Sequence, residues 1–326
     1  MPAVEEVERS GGESGSALHR AIYLTGPTAS GKTGVGVQLA LRVDAEIIAL
    51  DSMTLYRGMD IGTAKPTLEE RQGVPHHLID LLDPWQSASV ADYRAWAALA
   101  ATEIERRGKR VLFVGGTALY LKTLLRGLFE APAASPEVRR GLELRLEQEG
   151  PDLLHRALAQ VDPASAGRLH PRDSRRVIRA LEVFEATGRP ISEWQVEHQQ
   201  PGPSTAKVFA LDRPRAEVHD RINRRVVQMF QDGLIDEVRQ LQAGPHPIGP
   251  VPAQGVGYLE VIELLEGRLS EPLALERIQA RTRQFAKRQS TWFRGLSEVE
   301  SFAVESDETA VQVADRLARQ LGDSPK

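Results

Sequence analysis

Eight consecutive residues near the start of the chain have the types and spacing that bind phosphate. Two glycines enclose four residues and are followed by a lysine and a hydroxyl residue, which is the P-loop pattern. The residues are Gly26, Pro27, Thr28, Ala29, Ser30, Gly31, Lys32 and Thr33. Such a turn directs backbone N–H groups at phosphate oxygens, the lysine adds a positive charge, and the Thr33 hydroxyl is placed to bind Mg²⁺. The pattern predicts a bound di- or triphosphate and leaves open whether a nucleotide carries it.

A carboxylate and a hydroxyl follow two further apolar runs. Residues 46–50 are predicted to form a buried strand that ends at Asp51, and residues 111–114 a strand that ends at Gly115-Gly116-Thr117. Because ligands of open α/β sheets bind at the carboxyl ends of strands, both segments should border the phosphate site. Asp51 could hold Mg²⁺ through water, act as a general base, or cap a helix. No acid follows the second strand, which argues against a standard ATPase.

An arginine pair is predicted near the same site. Residues 207–211 are predicted to form another strand, and the helix after it carries Arg221 and Arg225 one turn apart. An arginine near a P-loop can neutralise charge on a leaving phosphate. The pair could equally form salt bridges with Glu217 or Asp220.

These elements alternate as strand and helix, so we predict an α/β fold: a P-loop NTPase-like core with a parallel sheet. Residues 132–204 show only helical periodicity between two proline-rich linkers and are predicted to form an all-helical insertion domain. The core domain then comprises residues 18–131 and 205–326. Residues 1–17, rich in Gly, Ser and Glu, are predicted to be a disordered tail.

Within the insertion, arginines recur on one face of a predicted helix. They are Arg172, Arg175, Arg176 and Arg179, on a helix whose Val177 and Ile178 face the core. The arginine stripe could grip a phosphate backbone or be a solvated charged face, and spacing alone does not decide between them.

Two helices are predicted near the end of the chain. Residues 276–294 form the most basic helix, and one of its faces carries Ile278, Thr282, Phe285, Gln289 and Trp292. The last helix is predicted to begin at Ser306 and to bury Val311, Ala314, Leu317 and Leu321.

Composition narrows the class of protein. The chain has 326 residues, no cysteine and a net charge of -4, which excludes disulfides, thiolate zinc sites and a globally basic nucleic-acid-binding surface. No apolar run is long enough to span a membrane and no signal peptide is predicted, so we expect a cytoplasmic protein without a membrane partner. Adjacent His76 and His77 are expected to pack or hydrogen-bond and not to bind a metal.

Five motifs in this order and spacing resemble the tRNA dimethylallyltransferases of bacteria. They are the P-loop, residues 51–65, His76-His77-Leu78, residues 114–117 and residues 282–294, and the resemblance runs from about Ile22 to Arg294. It implies transfer of a dimethylallyl group from dimethylallyl diphosphate to N6 of the adenosine 3′-adjacent to the anticodon, in tRNAs that read codons beginning with U. It also implies that the P-loop and Mg²⁺ hold the diphosphate, that the anticodon stem-loop of tRNA is the partner, and that the protein is a monomer.

The resemblance assigns roles residue by residue. Asp51 matches the general base, Thr117 a residue that hydrogen-bonds near the adenine and the diphosphate, and Arg221 an arginine that helps hold the diphosphate. Positions that match tRNA contacts are Asp51, Ser52, Met53, Thr54, Thr117, Arg139, Arg175, Arg176, Val177, Ile178 and Arg179. Two positions depart from the family pattern: Thr54 stands where many members have glutamine, and Leu259 where a basic residue is common.

Two other classes of function remain open. A small-molecule or nucleotide kinase would use the same P-loop to transfer a phosphoryl group from ATP, although no acceptor or lid pattern is present. A non-catalytic tRNA-binding module would leave Asp51 without a role.

Overall fold

Six short strands build one sheet in the residues that the computed structural model describes, 17–128, 135–197 and 205–323. They are β1 (Ile22–Thr25), β2 (Ala45–Ala49), β3 (His76–His77), β4 (Arg110–Val114), β5 (Lys207–Asp212) and β6 (Val299–Ala303). Their order is β3-β2-β4-β1-β5-β6, and every neighbouring pair is parallel. The predicted α/β fold with a parallel sheet is confirmed.

Helices connect the strands and cover the sheet. In chain order they are α1 (Lys32–Val43), α2 (Leu68–Arg71), α3 (Val90–Arg106), α4 (Ala118–Arg126), α5 (Pro136–Glu149), α6 (Pro151–Val161), α7 (Pro163–Ala166), α8 (Ser174–Thr187), α9 (Ile191–Glu197), α10 (Arg215–Gln231), α11 (Leu234–Ala243), α12 (Tyr258–Leu265), α13 (Glu271–Arg294) and α14 (Ala310–Gln320). None of the helices in the described ranges is long and apolar enough to cross a bilayer.

The inner strands of the sheet are buried on both faces. Successive side chains of a strand point to opposite faces, and in β1 Ile22 and Leu24 join one core while Tyr23 joins the other. The Ile22 core includes apolar residues of α1 and α14, and the Tyr23 core includes those of α3, α4 and α10. Burial on both faces explains why β1, β2, β4 and β5 are mostly apolar, whereas the edge strands β3 and β6 carry polar residues.

The helical segment forms a unit of its own. Arg126–Gly202 is one compact unit, and the chain on either side of it is the other. The described part of this unit is built from α5 to α9 around a core that includes Leu154, Leu158 and Val177. Residues 1–16, nearly all of the predicted tail, lie outside the described residues.

The last helix begins later than predicted. α14 starts at Ala310, not Ser306, because the Thr309 hydroxyl accepts the N–H of Gln312 and the Gln312 side chain accepts the N–H of Thr309. This reciprocal cap fixes the start of the helix. Of the residues predicted to be buried, Ala314 and Leu317 are fully buried, whereas Val311 in the first turn is 45% exposed.

The basic helix α13 begins earlier than predicted, at Glu271. Its apolar face is also rotated from the predicted one, since Ala286 and Phe293 are buried whereas Phe285 and Trp292 are more than a third exposed. A face that presents basic and aromatic side chains to solvent is therefore part of the surface of the sheet-containing unit.

Candidate active site

The P-loop lies between the end of β1 and the start of α1. Gly26 and Gly31 have φ of 138° and 93°, a region that favours glycine. A Cβ on Gly26 would lie 2.8 Å from the carbonyl oxygen of Leu211. Gly31 caps α1 without a side-chain hydrogen bond, and the first turn holds no acidic residue. The first N–H groups of α1 and the positive end of its dipole are thus left for an anion.

Three cationic side chains converge on the loop. They donate to it as follows: Lys32 Nζ to the Pro27 carbonyl (2.7 Å), Arg221 Nε to the Ala29 carbonyl (2.8 Å) and Arg225 Nη1 to the Thr28 hydroxyl (3.4 Å). Burial and then neighbouring arginines lower the pKa of all three groups, that of Lys32 to about 7. A bound polyanion would relieve this mutual repulsion. The arrangement therefore suits a diphosphate better than a neutral ligand.

Sequence reasoning missed a fourth cation, Arg213, which immediately follows β5. Its Nε donates to the Ser30 carbonyl at 3.0 Å, and its Nη1 donates to Glu217 at 2.8 Å and to the carbonyl of Glu305 at 3.1 Å. The side chain is 8% exposed. Because Nε and Nη1 donate to protein groups, Arg213 supports the P-loop through the Ser30 carbonyl. Arg213 directly follows a predicted strand, and this position could have indicated that it lies near the P-loop.

Asp51 lies just beyond the end of β2, at the same edge of the sheet as the P-loop. Its Oδ1 accepts the N–H of Met53 at 2.8 Å. Burial raises the pKa of this carboxyl, and hydrogen bonding by Met53 and the charge of Lys32 oppose the rise. No helix begins among the residues that follow, which removes the helix-cap alternative.

Thr117 joins the end of β4 to the end of β2. Its hydroxyl accepts the N–H of Ser52 at 3.2 Å, and its own N–H donates to the Leu50 carbonyl at 3.1 Å. A Cβ on Gly115 would lie only 2.1 Å from that same carbonyl oxygen. The glycine therefore permits the close approach that brings Thr117 next to Asp51 in the structure.

The loop after Asp51 is fixed by Glu237 of α11, another residue that sequence reasoning missed. The Glu237 carboxylate accepts the N–H groups of Asp60, Ile61 and Gly62 at 2.9, 2.7 and 3.2 Å, and the hydroxyl of Tyr258 at 2.7 Å. The loop is thus held by a helix far away in the sequence, and no local sequence pattern predicts this contact.

The arginines predicted to contact tRNA lie in the helical unit. Arg175 and Arg176 are exposed on α8, and Arg176 is 3.5 Å from Asp173. Arg139 and Arg179 each lie 3.5 Å from an oxygen of the fully buried Glu182. Val177 and Ile178 are buried in the core of this unit. Elsewhere, Thr54 is 7% exposed.

His76 and His77 form the edge strand β3. His77 Nε2 is 2.7 Å from Glu46, which also receives two hydrogen bonds from Arg107. The described residues contain no group of three or more His, Cys, Asp or Glu side chains that could hold a metal. His76 Nδ1 lies 2.8 Å from the Val74 carbonyl oxygen, so each histidine has a hydrogen-bonding partner.

Comparison with known proteins gives a consistent answer. The family model for IPP transferase matches residues 54–296. The chain is 46% identical over 281 residues to a tRNA dimethylallyltransferase of Geobacter metallireducens, covering 86% of this chain and 91% of the relative. It resembles the crystal structure of a tRNA isopentenylpyrophosphate transferase from Bacillus halodurans, with a TM-score of 0.68 and 39% identity over 93% of this chain and 97% of that one. A eukaryotic dimethylallyltransferase, solved acting on tRNA, matches with a TM-score of 0.78 and 29% identity, over 94% of this chain and 81% of the other.

Proposed function

The chain belongs to the tRNA dimethylallyltransferase (IPP transferase) family, and from this we propose that it transfers a dimethylallyl group from dimethylallyl diphosphate to tRNA. The acceptor is N6 of the adenosine 3′-adjacent to the anticodon, in tRNAs that read codons beginning with U. One observation carries the proposal. The P-loop, to which Lys32, Arg221 and Arg225 all donate, lies at the same edge of the sheet as the half-buried carboxylate of Asp51. Transfer needs both a diphosphate site and a base.

The proposed reaction is a substitution at C1 of the dimethylallyl group. The N6 amine attacks C1, the bond from C1 to the diphosphate oxygen breaks, and its electrons leave with the diphosphate. Asp51 takes the proton that the amine loses. Burial raises the pKa of Asp51 and so makes its carboxylate the stronger base. Thr117, hydrogen-bonded to Ser52 beside it, is proposed to contact the adenine and the diphosphate.

The diphosphate is held by residues 26–33 and by Arg221. The loop supplies N–H donors and the dipole of α1, and Arg221 already donates to the Ala29 carbonyl within it. Arg225, which reaches the Thr28 hydroxyl, is a second arginine for the departing charge. We propose that no nucleotide is hydrolysed at this loop.

The oxygen donors around the loop fit Mg²⁺, which we propose as the cofactor. Mg²⁺ takes one or two protein oxygens together with substrate phosphates. The Thr33 hydroxyl is such a donor, exposed in the first turn of α1. Bound there, Mg²⁺ would neutralise charge on the diphosphate.

Recognition of the anticodon stem-loop is proposed to involve both units. In the helical unit we assign phosphate contacts to the arginines Arg139, Arg175, Arg176 and Arg179. The side chains of Val177 and Ile178 are buried in the core of this unit and do not face tRNA. In the other unit the segment from Asp51 to Thr54 lies beside the base site. We further propose that the protein acts as a cytoplasmic monomer, as tRNA is a cytoplasmic substrate.

Phosphoryl transfer from ATP is not favoured. A kinase would share the P-loop, whereas the similarity to tRNA dimethylallyltransferases extends over most of the chain. A pure binding module would have no use for a half-buried carboxylate beside a diphosphate loop.

A labelling experiment tests the proposal. Purified protein is incubated with Mg²⁺, radiolabelled dimethylallyl diphosphate and an unmodified tRNA transcript that carries adenosine 3′ of its anticodon. A transcript with guanosine at that position is the matched control. We expect label on the first RNA only, released as a modified adenosine on digestion to nucleosides. An absence of label, together with consumption of ATP, would support the kinase instead.

A further inference from the structure

Gln289 is a buried side-chain amide in the interior of α13. It is 5% exposed, and a buried amide needs hydrogen-bond partners on both its oxygen and its nitrogen. Both partners are backbone groups of the candidate site: Oε1 accepts the N–H of Thr28 at 2.8 Å, and Nε2 donates to the carbonyl of Gly116 at 2.8 Å. One side chain therefore bonds the P-loop to the turn that follows β4.

The Gln289 amide lies just beyond the carboxyl ends of the paired strands β1 and β4. β1 and β4 are neighbours whose register ends at Leu24 and Val114. Two further bonds follow: the Gly115 N–H donates to the Leu24 carbonyl at 3.1 Å, and the Thr25 hydroxyl donates to the Gly115 carbonyl at 2.9 Å. Past these bonds, Gln289 lies between the P-loop and the turn after β4. Gln289 supplies a donor and an acceptor between them, as a peptide group of an intervening strand would.

The gap that Gln289 fills has no room for another side chain. A Cβ on Gly116 would lie 2.4 Å from the Gln289 Nε2 atom. Gly116 and Gln289 are thus sterically matched: the absence of a side chain at one position makes room for the amide of the other.

Each partner of Gln289 adjoins one half of the reaction. Thr28 lies in the diphosphate loop, and its hydroxyl contacts Arg225. Gly116 precedes Thr117, whose hydroxyl holds the N–H of Ser52, the residue after Asp51. The two halves must keep a fixed separation for the amine to attack C1 in line with the departing oxygen.

We propose that Gln289 is a positioning residue that sets the distance between the diphosphate loop and the Gly116-Thr117 turn. It acts through these two backbone groups and not by touching substrate. The proposal rests on the proposed function and deepens it, because it assigns a role to Gln289.

The test compares two glutamines of the same helix. Gln289→Met keeps the length of the side chain and removes both hydrogen bonds. Gln279→Met is the control, since the Gln279 Nε2 donates to the carbonyl of Asn223 at 3.1 Å, a bond that joins neither the P-loop nor the Gly116 turn. We expect Gln289→Met to lower kcat for RNA labelling by about a hundredfold, the cost of misplacing reacting groups by about 1 Å. The KM for RNA should stay within about threefold, and Gln279→Met should keep kcat within about twofold.

A double-variant cycle tests the same contact independently. Gly116→Ala should lower kcat because its Cβ meets Gln289. Adding Gln289→Ala should cost little more, since the clash is then gone and the two changes act on one contact. If Gln289→Met does not unfold cooperatively on heating, Gln289→Glu replaces it. This variant keeps an acceptor for the Thr28 N–H and loses the donor to the Gly116 carbonyl.

Three results would overturn the proposal. The first is a wild-type kcat in folded Gln289→Met, and the second is an equal loss of kcat in Gln279→Met. The third is a double variant, Gly116→Ala with Gln289→Ala, whose loss of kcat is the product of the two single losses. Binding of inorganic diphosphate by calorimetry separates this failure from that of the proposed function. If wild-type protein labels no RNA, weaker diphosphate binding in Gln289→Met than in Gln279→Met still supports the positioning role, and equal binding refutes it.

Discussion

The Oδ1 atom of Asp51 accepts the backbone N–H of Met53 at 2.8 Å, so the chain that follows this carboxylate also orients it. If Asp51 is the base, Asp51→Asn should lower single-turnover labelling of tRNA by about two orders of magnitude or more, because the amide keeps the acceptor for Met53 and cannot take a proton. Asp51→Ala should lose at least as much. The affinity for tRNA, measured by filter binding, should barely change. Retained turnover in Asp51→Asn would refute the assignment.

The affinity for dimethylallyl diphosphate should fall as pH rises. In the free protein burial and the charge of Arg225 lower the pKa of Lys32 to about 7, so Lys32 loses its proton above that pH. A bound diphosphate favours the protonated form, and binding at higher pH must therefore take up a proton. We expect affinity to fall by up to roughly tenfold per pH unit between about pH 7 and 9, measured by calorimetry.

The control for this pH dependence is Lys32→Arg, which keeps a positive charge throughout the range. Its affinity should vary little between pH 7 and 9, while titration of the ligand itself affects both proteins equally. Parallel curves for the two proteins would exclude Lys32 as the source of the pH dependence.

Arg176 is two-thirds exposed on α8 and paired only loosely with Asp173. Arg176→Ala should weaken binding of all substrate tRNAs similarly and reduce the slope of log K against log salt by about 1, as loss of one phosphate contact does. Arg156→Ala, at an exposed arginine on α6 of the same unit, is the comparison. A salt slope that is unchanged by Arg176→Ala would mean that the stripe is only a solvated face.

Two glycine-to-alanine changes should shift stability in opposite directions. Gly115→Ala places a Cβ 2.1 Å from the Leu50 carbonyl oxygen and should destabilise the protein by about 3 kcal/mol, at the upper end for overpacking. Gly141 is exposed within α5, and a Cβ there has nothing within 4 Å. Gly141→Ala should stabilise by about 0.5–1 kcal/mol through helix propensity. Urea unfolding monitored by circular dichroism measures both, and equal effects would contradict the steric argument.

Local patterns in the sequence were enough to predict the elements that carry the site. Strand, glycine turn and helix around residues 26–33, the strand before Asp51 and the turn at Thr117 all follow from apolar runs and their neighbours. The structure brings the ends of these strands to one edge of the sheet, as the rule for parallel sheets requires.

The residues that brace the site could not be predicted, because their partners are far away in the chain. Glu237 bonds three N–H groups of residues 60–62, and Gln289 bonds residues 28 and 116. No periodicity encodes such contacts. The first residue of α14 was predicted wrongly for a different reason. Two residues that could cap the helix, Ser306 and Thr309, lie three positions apart, and only the hydrogen bonds of Gln312 show that Thr309 is the cap.

The pairing of β1 has a consequence for synthesis of the protein. Ile22 pairs with Leu112 on one side and with Lys207 on the other, and the helical unit is encoded between these two partners. At about 5–20 residues per second, β5 leaves the ribosome roughly ten to forty seconds after β1. Throughout that interval β1 lacks its β5 neighbour, so one edge of the central strand has no partner in the sheet. We expect the nascent chain to bind diphosphate only after β5 and Arg213 have been made.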